Sequence, residues 1–307
     1  MSKGLVRIFG VIIASTVLVF WPVKSFCAQT VKFRHIASIY ADDKGVGLRQ
    51  PEGVVCNDEG LLIVADTGNG RLLKYTLQDK TLGSQTVAIK VPEVIYPIML
   101  KMNSKNEIYV LDGRQRRIVR LSPQGEFIDY LEPTGIPSPA SIVPRSFEID
   151  GKDQIYVLDI FSCRVLVLDP EGAYQKHLDF PENYGFLSDV TVDSKGNVLL
   201  IDSVNATVFF AAKGSVNFSP LSQNLKEYVR FPTSVDTDTR GRIYLVDRNG
   251  SSIVTLGQDG SFLGRQTSMG WKEGLLNYPS QLCINNKGEV FVADTNNSRI
   301  QIFTPFE

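Results

Sequence analysis

The sequence predicts an all-β chain in which a four-stranded antiparallel sheet is repeated six times and the repeats close into a ring. Six aspartates, Asp66, Asp112, Asp159, Asp202, Asp247 and Asp294, each end a short apolar run, and successive members lie 46, 47, 43, 45 and 47 residues apart. Fifteen residues upstream of them stand Pro51, Pro97, Pro144, Leu187, Pro232 and Pro279, so five of the six units open on proline. Nine residues past that opening position come Gly60, Asn106, Asp153, Gly196, Gly241 and Gly288, all residue types that tolerate a positive φ. Four strands repeated at this period mark a six-bladed β-propeller, in which each blade buries both faces against its neighbours.

Each element follows from the columns. Proline suits the first residue of a strand, where its missing N–H breaks no ladder bond. Asn57, Asn103, Asp150, Asp193, Asp238 and Asn285 come six positions later and, with the positive-φ residues three further on, predict a hairpin turn. The second strands read LLIVAD, IYVLD, IYVLD, VLLID, IYLVD and VFVAD, too short and too rich in β-branched residues for helices. Five residues past the aspartates stand Arg71, Arg117, Arg164, Thr207, Ser252 and Arg299, each heading a third strand. This predicts an Asp to Arg staple between strands two and three, worth up to about 1 kcal/mol for an exposed pair. A fourth strand follows a glycine turn in most units, as in QGEFIDYL, EGAYQKHL and DGSFLGRQ. The sixth unit stops after RIQIF, while KFRHIASIYADD ahead of the first unit reads as a spare strand. Residues near Phe33 to Tyr40 are therefore expected to complete the last blade and close the ring.

The N-terminus differs in kind. Lys3 and Arg7 precede an uncharged apolar stretch from Ile8 to Val23, Pro22 interrupts it, and small residues follow at Ser25 and Ala28. This is the pattern of a signal peptide over 1–28 ahead of one propeller over 29–307, with an uncleaved membrane anchor as the alternative. Loss of the leader removes Lys3, Arg7 and Lys24 and moves the formal charge from −1 to −4. A mildly acidic product argues against a nucleic-acid partner, and a periplasmic or secreted monomer is expected. Cys56, Cys163 and Cys283 remain. Aligned on Pro51 and Pro279, Cys56 and Cys283 differ by one position and should point to opposite sheet faces, as small buried hydrophobes in preference to a disulfide. Cys163 is expected in a turn.

The units PEGVVCNDEGLLIVADTGNGRLLKY and PSQLCINNKGEVFVADTNNSRIQIF resemble NHL repeats, which pair a Pro-x-Gly strand and an Asp-x-x-Gly turn with an apolar strand ending Ala-Asp and then Asn-x-Arg-Ile. Blades two, three and five follow the pattern, and blade four, SDVTVDSKGNVLLIDSVNATVFF, departs by lacking both Pro and Arg. The resemblance implies a six-bladed propeller and leaves activity open, since related propellers include metal-dependent lyases and lactonases as well as binding and sensor modules.

On the first strands, Val54, Leu100, Phe147, Val190, Val235 and Leu282 are wholly apolar and are expected between blades. The alternate parity, Gly53, Met99, Ser146, Asp189, Ser234 and Gln281, then Val55, Lys101, Glu148, Thr191, Asp236 and Cys283, is expected to face the channel, with Glu52 and Arg145 at its mouth. Glu148, Asp189 and Asp236, with Thr191 and Ser234, are candidate oxygen ligands for Ca²⁺, and no other cofactor is expected. The competing reading has Lys101 and Arg145 neutralise them. His35 and His177 fall on outermost strands, which argues against a multi-histidine zinc site or a Ser-His-Asp triad. One disc face should gather Arg114, Arg116, Arg145, Arg248, Phe161, Tyr184, Tyr228 and Trp271, an arginine and aromatic set suited to interface anchors. The function read from this is an exported, non-enzymatic binding or scaffold protein that presents the face to a protein, peptide or glycan partner in the cell envelope. The alternative is a channel-based, divalent-cation-dependent hydrolase or lyase, lactonase-like.

Overall fold

The structure, a computed structural model, describes residues 31–78, 81–222 and 224–306, so the leader read over 1–28 lies outside the described residues. Six four-stranded antiparallel sheets make the blades. In chain order their strands are Gly53–Cys56, Leu61–Asp66, Arg71–Gln78 and Thr81–Ile89 for blade one, and Pro97–Met102, Ile108–Asp112, Arg117–Leu121 and Phe127–Tyr130 for blade two. Blade three holds Pro144–Ile149, Ile155–Asp159, Arg164–Leu168 and Tyr174–Asp179, and blade four Leu187–Val192, Val198–Asp202, Thr207–Ala211 and a two-residue outer strand, Ser219–Pro220. Blade five is Pro232–Thr237, Ile243–Asp247, Ser252–Leu256 and Phe262–Gln266. Blade six takes Leu282–Ile284, Val290–Asp294 and Arg299–Phe306 from after blade five and Lys32–Ile39 from ahead of blade one, paired from Lys32 against Phe306 to Ile39 against Ile300.

The turn columns hold as expected. Gly60, Asn106, Asp153, Gly196, Gly241 and Gly288 have φ between 61° and 85°. The Asn or Asp three residues earlier locks each turn by accepting backbone N–H groups, as Asp193 does from Lys195 and Asn197. The apolar first-strand column from Val54 to Leu282 is buried. Blades stack front to back: Val55, Ile63 and Ala65 of blade one pack on Leu100, Ile108 and Val110 of blade two.

That stacking corrects the expectation for the cysteines, because Cys56 and Cys283 form a disulfide with Cα atoms 6.1 Å apart. Their one-position offset is real, Cys56 lying opposite Leu62 and Cys283 opposite Phe291 in their own sheets. Opposite faces are what meet when the back of blade six lies on the front of blade one, where Cys283 and Phe291 pack with Val54 and Leu62. Cys163 sits in a turn, exposed and free.

The aspartate ladder also departs from a set of exposed staples. All six aspartates are 0% exposed. Arg71 and Arg299 do reach Asp66 and Asp294, each at 2.7 Å, but Arg164 stands 4.0 Å from Asp159. Arg117 turns away to Glu132 and lies 3.8 Å over the Tyr130 ring. What all six share is acceptance of backbone N–H groups from the loop that enters their blade, for example Ile95 and Tyr96 on Asp112 and Arg230 and Phe231 on Asp247. Burial alone would push the Asp202 carboxyl up, yet the N–H groups of Phe186, Gly185, Asn205 and Val204 hold it below the usual range. The ladder is loop scaffolding, and each donor orphaned by its loss would cost about 1–3 kcal/mol.

Candidate functional site

The first strands converge on the axis and stack their side chains in layers. The layer one residue past the opening position, Glu52, Ile98, Arg145, Ser188, Thr233 and Ser280, rings a cavity of about 360 Å³ on the loop face. In blades two to five the strand register shifts at this position, as between Pro144 and Ser146 in blade three. Such a bulge re-aims the extra residue, here Arg145, into the mouth. Arg116 and Arg248 join the same wall from the turns after strands two. Arg248 occupies a position where three other blades carry Thr67, Ser203 and Thr295, whose hydroxyls donate to the next blade's Pro97, Pro232 and Pro51 carbonyls. Blade five gives up that latch for a guanidinium.

This mouth is cationic and uncommitted. Burial and the neighbouring Arg248 charge both hold Arg145 below the usual arginine value, and its guanidinium lies 4.5 Å from the Phe186 ring centroid. Glu52 is pushed up by burial, against the pull of Arg248 and of a Tyr96 hydroxyl that donates to it at 3.4 Å. Arg114 lies 5.9 Å from the Tyr96 ring centroid. Among the described residues, no guanidinium of Arg114, Arg116, Arg145 or Arg248 donates a hydrogen bond to the protein.

The next layer is the floor. Gln281 spans it, accepting from Val54 N (3.1 Å) and Leu100 N (3.3 Å) and donating to the Leu100 carbonyl (3.1 Å). Ser146 donates to Asp189, which also accepts from Val190 N and Val235 N. Ser234, 2% exposed, lines the cavity with no hydrogen-bond partner among the described residues.

Beyond the floor a second mouth, about 320 Å³, opens on the hairpin-turn side and is lined by Lys101, Glu148, Thr191, Asp236 and the turn carboxylates Asp150, Asp193 and Asp238. Lys101 Nζ donates to Glu148 Oε2 at 2.6 Å and Thr191 Oγ1 donates to the same oxygen at 3.0 Å. Asp236 accepts from Thr237 N (2.7 Å) and Ile284 N (3.3 Å). Burial would lower the Lys101 ammonium, but the charges of Glu148, Asp236 and Asp189 lift it above the ordinary lysine value. Burial pushes Asp236 up to about 7 and raises Asp189, in both cases against the attraction of Lys101. Among the described residues no three His, Cys, Asp or Glu groups come together to hold a metal ion. Lys101 thus pairs with Glu148 and feels the charges of Asp189 and Asp236, while Arg145 stands at the opposite mouth.

The NHL repeat family profile matches residues 48–75 and 276–303, the first and sixth blades. The chain is a six-bladed β-propeller that carries NHL repeats. No curated protein matches it. Among solved structures, a streptogramin B lyase superposes with a TM-score of 0.61 at 14% identity, covering 90% of this chain and 98% of that one. A virginiamycin B lyase from Staphylococcus aureus, a catalytically inactive histidine-to-alanine variant with quinupristin, gives 0.59 at 12% identity over 89% and 88% of the two chains. A protein of unknown function from Bacteroides thetaiotaomicron VPI-5482 gives 0.67 at 12% identity over 90% and 76%. At these identities the likeness is one of fold.

The NHL propeller brings only part of the expected face together. Arg116, Arg145 and Arg248 line one mouth, and exposed Phe161 follows Ile160 in its wall. Tyr184 leans edge-on against Phe180 with its hydroxyl 3.5 Å from Cys163 Sγ, and Tyr228 stacks on Phe262 at 3.9 Å. Trp271 is 80% exposed but sits over the outer part of blade six, where its carbonyl accepts from Arg299. His35 and His177 lie on outermost strands, bonded to Ser38 and Tyr174. Ser234 and Gln281 stand in the polar first-strand column expected to face the channel; what the column does not show is that Gln281 plugs it and that Ser234 opens on the loop mouth beside the arginines.

Proposed function

We propose that this NHL propeller is an exported, non-enzymatic binding protein that presents its loop face to a protein, peptide or glycan partner in the cell envelope. The observation that carries the reading is the contrast in commitment: the guanidiniums of Arg114, Arg116, Arg145 and Arg248 make no hydrogen bond to the described protein, while at the opposite mouth Lys101 and Thr191 are both spent on Glu148. Surface arginines beside exposed aromatics are typical interface anchors. The leader pattern and the Cys56–Cys283 disulfide both fit an oxidising compartment. The test is capture from envelope extract by wild type and by a variant with Arg114, Arg248 and Phe161 changed to alanine, followed by direct binding of the recovered partner. Equal capture by both proteins removes the loop face from the proposal.

One observation favours a second reading. Asp236, raised to about 7 in a cavity beside Lys101, is an acid-base group poised near neutrality. Two structures of similar fold are described as lyases, one of them inactivated by loss of a histidine. Here both histidines are on outer strands, so such chemistry would run on Asp236 and Glu148. A stoichiometric divalent cation in the purified protein that Asp236→Ala removes without unfolding would transfer the conclusion to a cation-dependent hydrolase or lyase.

A further inference from the structure

We propose that the cationic mouth is a carboxylate socket, in which Arg145 and Arg248 clamp the carboxylate of a ligand whose apolar body lies against Ile98, Val143 and Ile160. The inference rests on the loop face being a binding surface and names the chemistry that the surface takes.

Three features converge. Arg145 and Arg248 stand close enough for the charge of one to disfavour the other, with no acceptor spent on either among the described residues. Each guanidinium presents five donors in a planar fork, and an oxyanion set between two of them relieves their repulsion and uses those donors. Ser234 supplies the second, independent feature. It is 2% exposed, lines the same cavity and has no partner, whereas nearby Thr233 and Ser280 spend their hydroxyls on the Ser280 and Glu52 carbonyls. The Ser234 hydroxyl is open to the cavity and unspent, and an anion seated between the arginines would accept from it. Third, the walls between the charged groups are apolar, with Ile98, Met99, Leu111, Val143 and Ile160.

Glu52 selects among oxyanions. It shares the mouth with the arginines, so a dianion such as a phosphate monoester meets about twice the repulsion that a singly charged, planar carboxylate does. The volume of about 360 Å³ is at the small end for ligand sites and fits one terminal residue or a short acid better than a folded surface.

The experiment uses calorimetric titration of the protein with N-acetyl-leucyl-phenylalanine, the same dipeptide as its C-terminal amide, 3-phenylpropionate and inorganic phosphate. The free-acid dipeptide is expected to bind about ten-fold or more tighter than the amide, with Arg145→Met and Arg248→Met each losing about ten-fold and Ser234→Ala about three-fold. Circular dichroism confirms that each variant is folded. Binding of 3-phenylpropionate as strong as the dipeptide's assigns the socket to small free acids, and weaker binding assigns it to a peptide terminus; the carboxylate chemistry stands in either case. Equal binding of acid and amide, tighter binding of phosphate, or no binding at about 10 mM overturns the socket. Partner capture that persists in Arg145→Met but fails on changing Arg114 and Phe161 would sink the socket and leave the loop-face reading intact, while capture indifferent to every face variant would sink that reading itself.

Discussion

At the hairpin-turn mouth, Lys101, Glu148 and Thr191 are bonded to one another across blades two, three and four, and Asp236 lies within electrostatic reach of Lys101. Three residues back along the same strands, at the loop mouth, Arg145 faces Arg248 across a cavity and Glu52 is the carboxylate that tempers them. The two mouths share the same six first strands, yet one is internally satisfied and the other holds its hydrogen-bonding capacity open. Charges that serve stability saturate one another; charges left open to solvent around a concavity are free to serve something else.

The sharpest way to break this contrast is Lys101→Met, which strands Glu148, Asp189 and Asp236 without their counter-ion. A loss of about 3–5 kcal/mol is expected in urea denaturation at pH 7.5, and an unchanged midpoint would mean the cluster is not an ion pair at all. The same mouth carries the inter-blade disulfide, and the double variant Cys56→Ala, Cys283→Ala is expected to lose about 2–5 kcal/mol, read from the same denaturation curves.

Smaller in size is the pH effect. Asp236 holds a proton in the folded state up to about pH 7, well above its unfolded value, so its contribution is present at low pH and lost as pH rises through 7. Wild type should therefore lose up to about 1.4 kcal/mol per pH unit more than Asp236→Asn between about pH 4 and 7 and run parallel to it above 7, and melting-temperature profiles parallel throughout about pH 4 to 8.5 would remove Asp236 as the titrating group. At the other mouth Arg145→Ala should change stability by no more than about 1 kcal/mol, since its guanidinium makes no hydrogen bond to the described protein and rests only on the Phe186 ring. Smallest of all, millimolar Ca²⁺ should leave the melting temperature unmoved, because Glu148 is already paired with the Lys101 ammonium; a clear upward shift would establish Glu148, Asp189 and Asp236 as ligands.

Much of this was legible in the chain. The ladder period fixed the blade number, the positive-φ column placed every inner hairpin, and strand parity separated the buried first-strand column from the polar ones that line the two mouths. Glu52 and Arg145 were placed at a mouth from their offset alone. What the columns could not show was how one blade meets the next. Cys56 and Cys283 looked mismatched because parity was judged within a sheet, whereas contact in a ring is made between the front of one sheet and the back of another. Arg117 fits the repeat but answers to Glu132 and Tyr130, which its own blade supplies outside the ladder. Trp271 is assigned to the disc face because its loop joins two blades, but radial distance from the axis has no signature in spacing, and it sits out over blade six.

The pairing of Lys32–Ile39 with Arg299–Phe306 sets the order in which the molecule can be finished. A strand near the start of the described chain has its partner almost at the end, so it must wait through five complete blades before its edge is covered. Sequence separation of this kind slows folding and prolongs exposure of an unpaired edge. A chain that stalls or is cut within its last blade would keep five folded blades and still present an open, adhesive flank, which makes the final few residues a checkpoint for the whole ring.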